Sequence, residues 1–176
     1  MADAPPTERE VFGPCAAAAC YRREALLACG GFDESFFCYL EDVDLAFRLR
    51  LQGHRCLLVP GAVVRHVGSA IAGRRSPFTV YHAQRNLEWT WFKNMPTPLL
   101  VWYMPQHLLL AVVTVAWFTL RGKGWTILKS KWHAFKALPE IWRKRKLIQA
   151  TRSVTSTDLN RIMARGFLAP YLRSRK

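Results

Sequence analysis

GGFDESFFCYLEDVDLAFRLRLQG, residues 30–53, changes character halfway along. Its first half sets two glycines and then Phe32, Phe36, Phe37 and Tyr39 without a regular period, which reads as a loop with aromatic anchors. From Leu40 the apolar residues Leu40, Val43, Phe47 and Leu51 recur at spacings of 3, 4 and 4, and Gly53 follows as a stop, so a helix is predicted over 40–52. Its first turn carries Glu41, Asp42 and Asp44. Carboxylates there complement the positive end of the helix dipole, and Asp44 can pair with Arg48 one turn on. The same placement beside an aromatic loop can also hold a general base rigidly at a cleft, with Asp42 and Glu41 as the candidates.

Upstream, CAAAACYRREALLAC (15–29) predicts a short helix from about Arg22, stopped by Gly30 and Gly31. Residues 1–14, with Pro5, Pro6, Gly13 and Pro14, read as loop. Downstream, 54–60 and 62–67 read as two short strands joined by a Pro60-Gly61 turn, then a polar basic loop over 68–77. A third helix is predicted over 78–94, ended by Pro96 and Pro98. Residues 94–120 then contain no Asp, Glu, Lys or Arg. A helix over 99–120 would be about 33 Å long, enough to cross a hydrocarbon core, although Pro105, Gln106 and His107 interrupt its apolar character. Residues 125–149 mix Trp125, Trp132 and Trp142 with Lys and Arg, the composition of a basic amphipathic helix on a membrane, broken in two by Pro139. The chain therefore divides into a loop (1–14), a compact unit (15–95), apolar and basic membrane-associated helices (96–150) and a basic helical tail (151–176).

With 176 residues and 51% hydrophobic content, this is one domain or part of one, and disorder throughout is excluded. Its net charge of +14 is lopsided: residues 1–120 carry +1 and residues 121–176 carry +13. Basic residues interleaved with Trp could bind nucleic acid, but no RNA- or DNA-binding fingerprint is present and the adjoining uncharged run favours lipid. Cys15, Cys20, Cys29, Cys38 and Cys56 form no CxxC pair and read as reduced core residues. Phosphate-cradling glycine loops and nucleophile elbows are absent. MADAPPTERE has neither the basic nor the apolar region of a signal peptide, so a cytoplasmic side is expected. His66, at the end of the second predicted strand, is read as a surface histidine or a metal ligand. Arg74, Arg75 and Arg85 are read as a solvated face or as neutralisers of a phosphate.

The blocks YRREAL, GGFDESFF, Tyr39, LEDVDLAFRL and Gly53, then P-x-A-x-V-x-H-x-x-S (Pro60, Ala62, Val64, His66, Ser69) and YHAQRN, together resemble the second half of a family 2 glycosyltransferase of the GT-A fold. They are most similar to its rhamnosyltransferase-like branch, which builds bacterial surface polysaccharides. The resemblance implies an α/β fold class: a partial GT-A domain, the acceptor-side half, followed by C-terminal membrane-associated α-helices. It makes Asp42 of Glu41-Asp42 the base that deprotonates an acceptor hydroxyl for inverting attack on a nucleotide sugar. His66 becomes a ligand of Mg²⁺ or Mn²⁺, and Gly30, Gly31, Phe32 and Asp33 an acceptor-side loop. Arg74, Arg75 and Arg85 lie near the nucleotide diphosphate. The implied partners are a nucleotide-sugar donor, a glycan or lipid-linked acceptor and a membrane surface, with self-association through exposed strand edges and no nucleic acid. Trp125, Trp132, Trp142, Arg143, Lys144, Arg145 and Lys146 are the expected membrane contacts, on the cytoplasmic face of the plasma membrane, with 99–120 in plane or spanning. No Asp-x-Asp precedes position 15, so the chain is expected to lack a nucleotide-binding half and to be inactive alone. The other reading is a membrane-associated scaffold with a vestigial site.

Overall fold

The computed structural model of the protein describes residues 8–66, 73 and 76–163. These are mostly helical, with one two-stranded antiparallel sheet. In chain order they give β1 (Arg9–Val11), α1 (Arg23–Ala28), α2 (Glu41–Leu51), β2 (Cys56–Leu58), α3 (Pro77–Asn94), α4 (Thr97–Leu120), α5 (Gly124–Lys136), α6 (Leu138–Ala150) and α7 (Ser156–Ile162). Short 3₁₀ turns at Ala16–Ala18 and Glu34–Phe36 flank α1. Of the expected α/β class with C-terminal helices, the described residues show the C-terminal helices and a single two-stranded sheet.

The helix ends follow local chemistry. α1 stops in a Schellman arrangement: Gly31 N–H donates to Leu26 O and Gly30 N–H to Leu27 O, each at 2.9 Å, with φ of +66° and +78° that only glycine adopts without strain. Ser76 caps α3 through its side chain, Pro77 occupies the first turn, and Met95 is extended ahead of Pro96. Pro139 falls in the first turn of α6, so the basic stretch splits at Ala137 as predicted. α4 stays helical through Pro105.

Of the two strands read over 54–60 and 62–67, the described residues through 66 do not pair with each other. β2 pairs instead with β1, in the register Arg9–Leu58, Glu10–Leu57 and Val11–Cys56, so part of the segment read as loop is strand. The cause is Arg50. It is 5% exposed, and its guanidinium donates to Phe12 O at 2.8 Å and also to Val11 O and the Glu10 carboxylate, drawing the N-terminal segment against α2. Gly13 permits the approach, because a Cβ there would lie 2.3 Å from the Ala46 side chain. After β2 the backbone turns at Pro60, with Ala62 N–H donating to Val59 O at 3.0 Å, and 62–66 run on without pairing.

Two clusters make the core, and α3 serves both. Phe36, Trp89, Ala134 and Ile141 bring the aromatic loop, α3, α5 and α6 together. Leu51, Met95, Leu99, Leu100 and Leu159 join α2, α4 and α7. Phe36 is fully buried, contributing about 1.5–3 kcal/mol relative to an exposed ring. Cys15 and Cys20 lie at the surface and all five cysteines are free, so those two are not core residues.

Candidate active site

The three carboxylates at the start of α2 have different surroundings. Asp44 is fully buried: Oδ1 lies 2.7 Å from Lys93 Nζ and accepts from Asn94 Nδ2 at 2.7 Å, while Oδ2 accepts from Arg48 Nε at 2.9 Å. It is a structural node, and the i,i+4 pair read from the sequence is one of its contacts. Asp42 is half-buried. Its oxygens accept from backbone only, Oδ2 from Ala16 N–H at 3.0 Å and Oδ1 from Val43 N–H at 2.8 Å. These bonds orient the carboxylate without tying it to a cation. Beside it, Glu41 Oε2 and Tyr21 Oη are buried polar atoms without a hydrogen-bond partner among the described residues. Burial, and then the charge of Asp42, push the Tyr21 phenol above its ordinary range, which keeps it a neutral donor. The cluster therefore joins a fixed proton-accepting group to unspent hydrogen-bonding capacity.

The loop ahead of this helix is unusual backbone. Phe37, Tyr39 and Leu40 have φ of +63°, +66° and +67°. Leu40, in the left-handed region, is the N-cap of α2, so the path through these residues sets where Glu41 and Asp42 point. Non-glycine residues reach such φ values only when their surroundings hold them there. Here the holder is Asn86 of α3, fully buried, whose Nδ2 lies 3.0, 2.8 and 2.8 Å from the carbonyl oxygens of Phe36, Cys38 and Tyr39. Arg85 adds bonds from Nη2 to Ser35 O at 3.3 Å and Phe36 O at 3.1 Å, its guanidinium lying 4.1 Å from the Trp89 ring. Asn86 was missed as a functional candidate from sequence. The pointer to it was its place in YHAQRN on a helix, but nothing local says that its amide reaches back almost fifty residues.

Other candidate residues stand differently. Asp33 was expected in an acceptor loop, yet its carboxylate holds the fold: Lys93 Nζ is 2.6 Å away, Lys144 Nζ 2.8 Å and Ser35 Oγ 2.6 Å. Burial pushes this carboxyl upward, but hydrogen bonds from Lys144, Lys93 and Ser35 outweigh it and hold the group well below the usual carboxylate range. Gly30 and Gly31 are explained by the end of α1, and Phe32 is exposed. Arg85 is occupied with the aromatic loop. Arg74 and Arg75 lie outside the described residues. His66 is exposed, and no group of three His, Cys, Asp or Glu side chains that could hold a metal occurs among the described residues. The described residues do not by themselves make up a Mg²⁺ or Mn²⁺ site.

Of the expected membrane contacts, Trp125, Trp132 and Trp142 are exposed, at 79%, 60% and 46%, as are Arg143 and Lys146. Arg145 is not a surface cation. It is 3% exposed and closes the C-terminal end of α3, donating to Phe92 O at 2.8 Å, to Met95 O and to Thr97 Oγ1 at 2.9 Å. Lys144 turns to Asp33. α4 is long and apolar enough to cross a membrane by length and composition, and 11% of its apolar window is buried. An apolar groove of about 640 Å³ lies between α3, α4 and α5, lined among others by Phe92, Leu108, Val112 and Phe135, with Glu88, His107 and Lys131 linked at its wall.

Residues 7–89 match the family described as glycosyltransferase like family 2. Among curated proteins, the N-acetylglucosaminyl-diphospho-decaprenol L-rhamnosyltransferase of Mycobacterium tuberculosis, in strains CDC 1551 / Oshkosh and ATCC 25618 / H37Rv, is 42% identical over 69 residues. That match covers 39% of this chain and 22% of the relative, so the chain spans about a fifth of the length of these proteins. No solved structure matches the chain at a significant level. The acidic start of α2 and the clamped loop before it both fall inside the segment that is similar to this family.

Proposed function

We propose that this chain supplies the acceptor-side, base-bearing part of an inverting glycosyltransferase of GT-A type, which transfers a sugar from a nucleotide sugar to a lipid-linked glycan acceptor. The carrying observation is the division of labour at the start of α2. Asp44 is sealed in the core among Lys93, Arg48 and Asn94, whereas Asp42 is half-buried, oriented by two backbone N–H groups and paired with no cation among the described residues. In the reaction, an acceptor hydroxyl oxygen forms a bond to the anomeric carbon as the bond from that carbon to the diphosphate breaks, and the hydroxyl proton passes to Asp42. Glu41 and Tyr21, with unspent hydrogen-bonding atoms alongside, bind and orient the acceptor. Support for a lipid-linked acceptor comes from the relative whose name gives a decaprenol-linked one.

The same reading places the chain at the cytoplasmic face of the membrane, where nucleotide sugars are. The outer face of α4 and Trp125, Trp132 and Trp142 enter the headgroup region, with Arg143 and Lys146 toward anionic lipid. α4 lies in plane or re-entrant, because a complete crossing would put the site and the basic tail on opposite sides. The test is transfer of radiolabelled sugar from a nucleotide-sugar panel to membrane lipid extract, by this chain alone and by the chain joined to a nucleotide-binding half. Activity in the joined form that Asp42→Asn reduces about 10³-fold or more supports the reading; full activity in Asp42→Asn removes it.

A further inference from the structure

The aromatic loop spends conformational energy on one side chain. Phe37 has φ +63° and ψ −59°, and Cys38 N–H donates to Phe36 O at 2.7 Å across it. That is the strained form of the γ-turn, rare for a residue with a Cβ. The strain secures no burial, since the Phe37 ring is 75% exposed. Instead it aims the ring at the first two turns of α3. The His82 ring centroid is 5.5 Å away and the Phe78 centroid 6.4 Å, with Phe78 and His82 4.6 Å from each other. Phe78 is itself 45% exposed, so the three rings form an open aromatic surface. Within it, His82 Nδ1 is buried and has no hydrogen-bond partner among the described residues. Burial and the nearby Arg85 lower the affinity of this imidazole for a proton, so it stays neutral and can accept a hydrogen bond.

This inference rests on the reading of Asp42 as base: Phe37 lies five residues ahead of Asp42, on the loop that leads into α2. Pyranose rings present a face of axial C–H groups that packs on aromatic rings, and hydroxyls at their edge that seek polar partners. We infer that Phe37, Phe78 and His82 form a stacking platform for the C–H face of the acceptor sugar. The platform is part of the same loop that sets Asp42: the carbonyls on either side of Phe37 and that of Tyr39 are the ones Asn86 gathers. One clamp thus holds both the ring that would bind the sugar and the carboxylate that would take its proton.

The experiment is saturation-transfer NMR on the full chain with methyl N-acetyl-β-D-glucosaminide as probe, comparing wild type with Phe37→Ala, Phe37→Tyr, Phe37→Gly and Asp42→Asn. Wild type, Phe37→Tyr and Asp42→Asn are expected to saturate the sugar's ring C–H protons. In Phe37→Ala and Phe37→Gly the affinity falls about fivefold or more, from the loss of a stacking contact. Phe37→Gly is expected to melt no lower than wild type, because glycine relieves the turn, which separates loss of the ring from loss of the fold. Absence of saturation in wild type, or equal affinity in Phe37→Ala, overturns the platform. Binding is read without turnover, so an inactive base leaves this test intact, and loss of transfer in Asp42→Asn with binding retained separates the two roles.

Discussion

Replacing Lys93 with methionine probes the ionic node that fixes α2 to α3 and the aromatic loop. Lys93 is 1% exposed, with Nζ 2.6 Å from Asp33 and 2.7 Å from Asp44. Methionine keeps most of the volume and removes the charge, leaving two carboxylates short of a cation. Breaking a buried pair in this way costs about 3–5 kcal/mol. Asp44 keeps Arg48 and Asn94, and Asp33 keeps Lys144, so the lower end, about 3 kcal/mol, is expected. For a chain of this size that is a fall in melting temperature of about 6–12 °C. The pH dependence gives a second readout. The Asp33 carboxyl is held below its ordinary value in the fold, so its stabilisation is complete above the unfolded value and is lost as pH falls toward the folded one. Without Lys93 less of that depression remains. The deficit of Lys93→Met should therefore be largest near neutrality and shrink below about pH 4, where the Asp33 carboxylate takes up a proton. Urea denaturation of both proteins at several pH values measures it. A loss under about 1 kcal/mol, or a deficit constant between pH 7 and pH 3, would refute the reasoning.

Further outcomes follow from the same contacts. Arg145→Met should lose about 2–4 kcal/mol in denaturant, because the last carbonyls of α3 lose a buried charged donor, while Arg143→Ala and Lys146→Ala should stay within about 0.5 kcal/mol of wild type. On anionic vesicles Arg143→Ala and Lys146→Ala should each weaken binding about fivefold in low salt, and replacing Trp125 and Trp132 with alanine should weaken it in high salt too. Unchanged vesicle affinity in all of them would remove the membrane proposal. Asn86→Leu should speed hydrogen exchange of the amides at 37–41 and cost about 2–4 kcal/mol, since the Cys38 and Tyr39 carbonyls lose their donor and Phe36 O loses one of several; unaltered exchange there would mean that the loop holds its shape without the clamp.

The helices were legible because their signals are local. The spacing of Leu40, Val43, Phe47 and Leu51 marks α2, Gly30 and Gly31 end α1, and Pro139 divides α5 from α6. The strands were not, because pairing is decided at a distance. Cys56–Leu58 has no local mark of its partner, and it is Arg50, reaching Phe12 and Val11, that selects β1 over the segment after Pro60. The candidate site shows the same division. Its acidic cluster could be read from the chain, and Asp42 was singled out on the family resemblance. That Asp44 is sealed by Lys93 and that Asp42, among the described residues, is met only by backbone is visible only in three dimensions. Basic residues misled at two positions: Arg143 to Lys146 look alike in sequence, and only helix phase buries Arg145 and turns Lys144 to Asp33.

The most direct measurement sets Asp42→Asn beside Asp44→Asn, each assayed for sugar transfer in the form joined to a nucleotide-binding half and each melted. The account predicts that Asp42→Asn loses transfer with its melting temperature almost unchanged, while Asp44→Asn melts well below wild type. Transfer that survives in Asp42→Asn would contradict the central claim, because the carboxylate at this position would then not be the base.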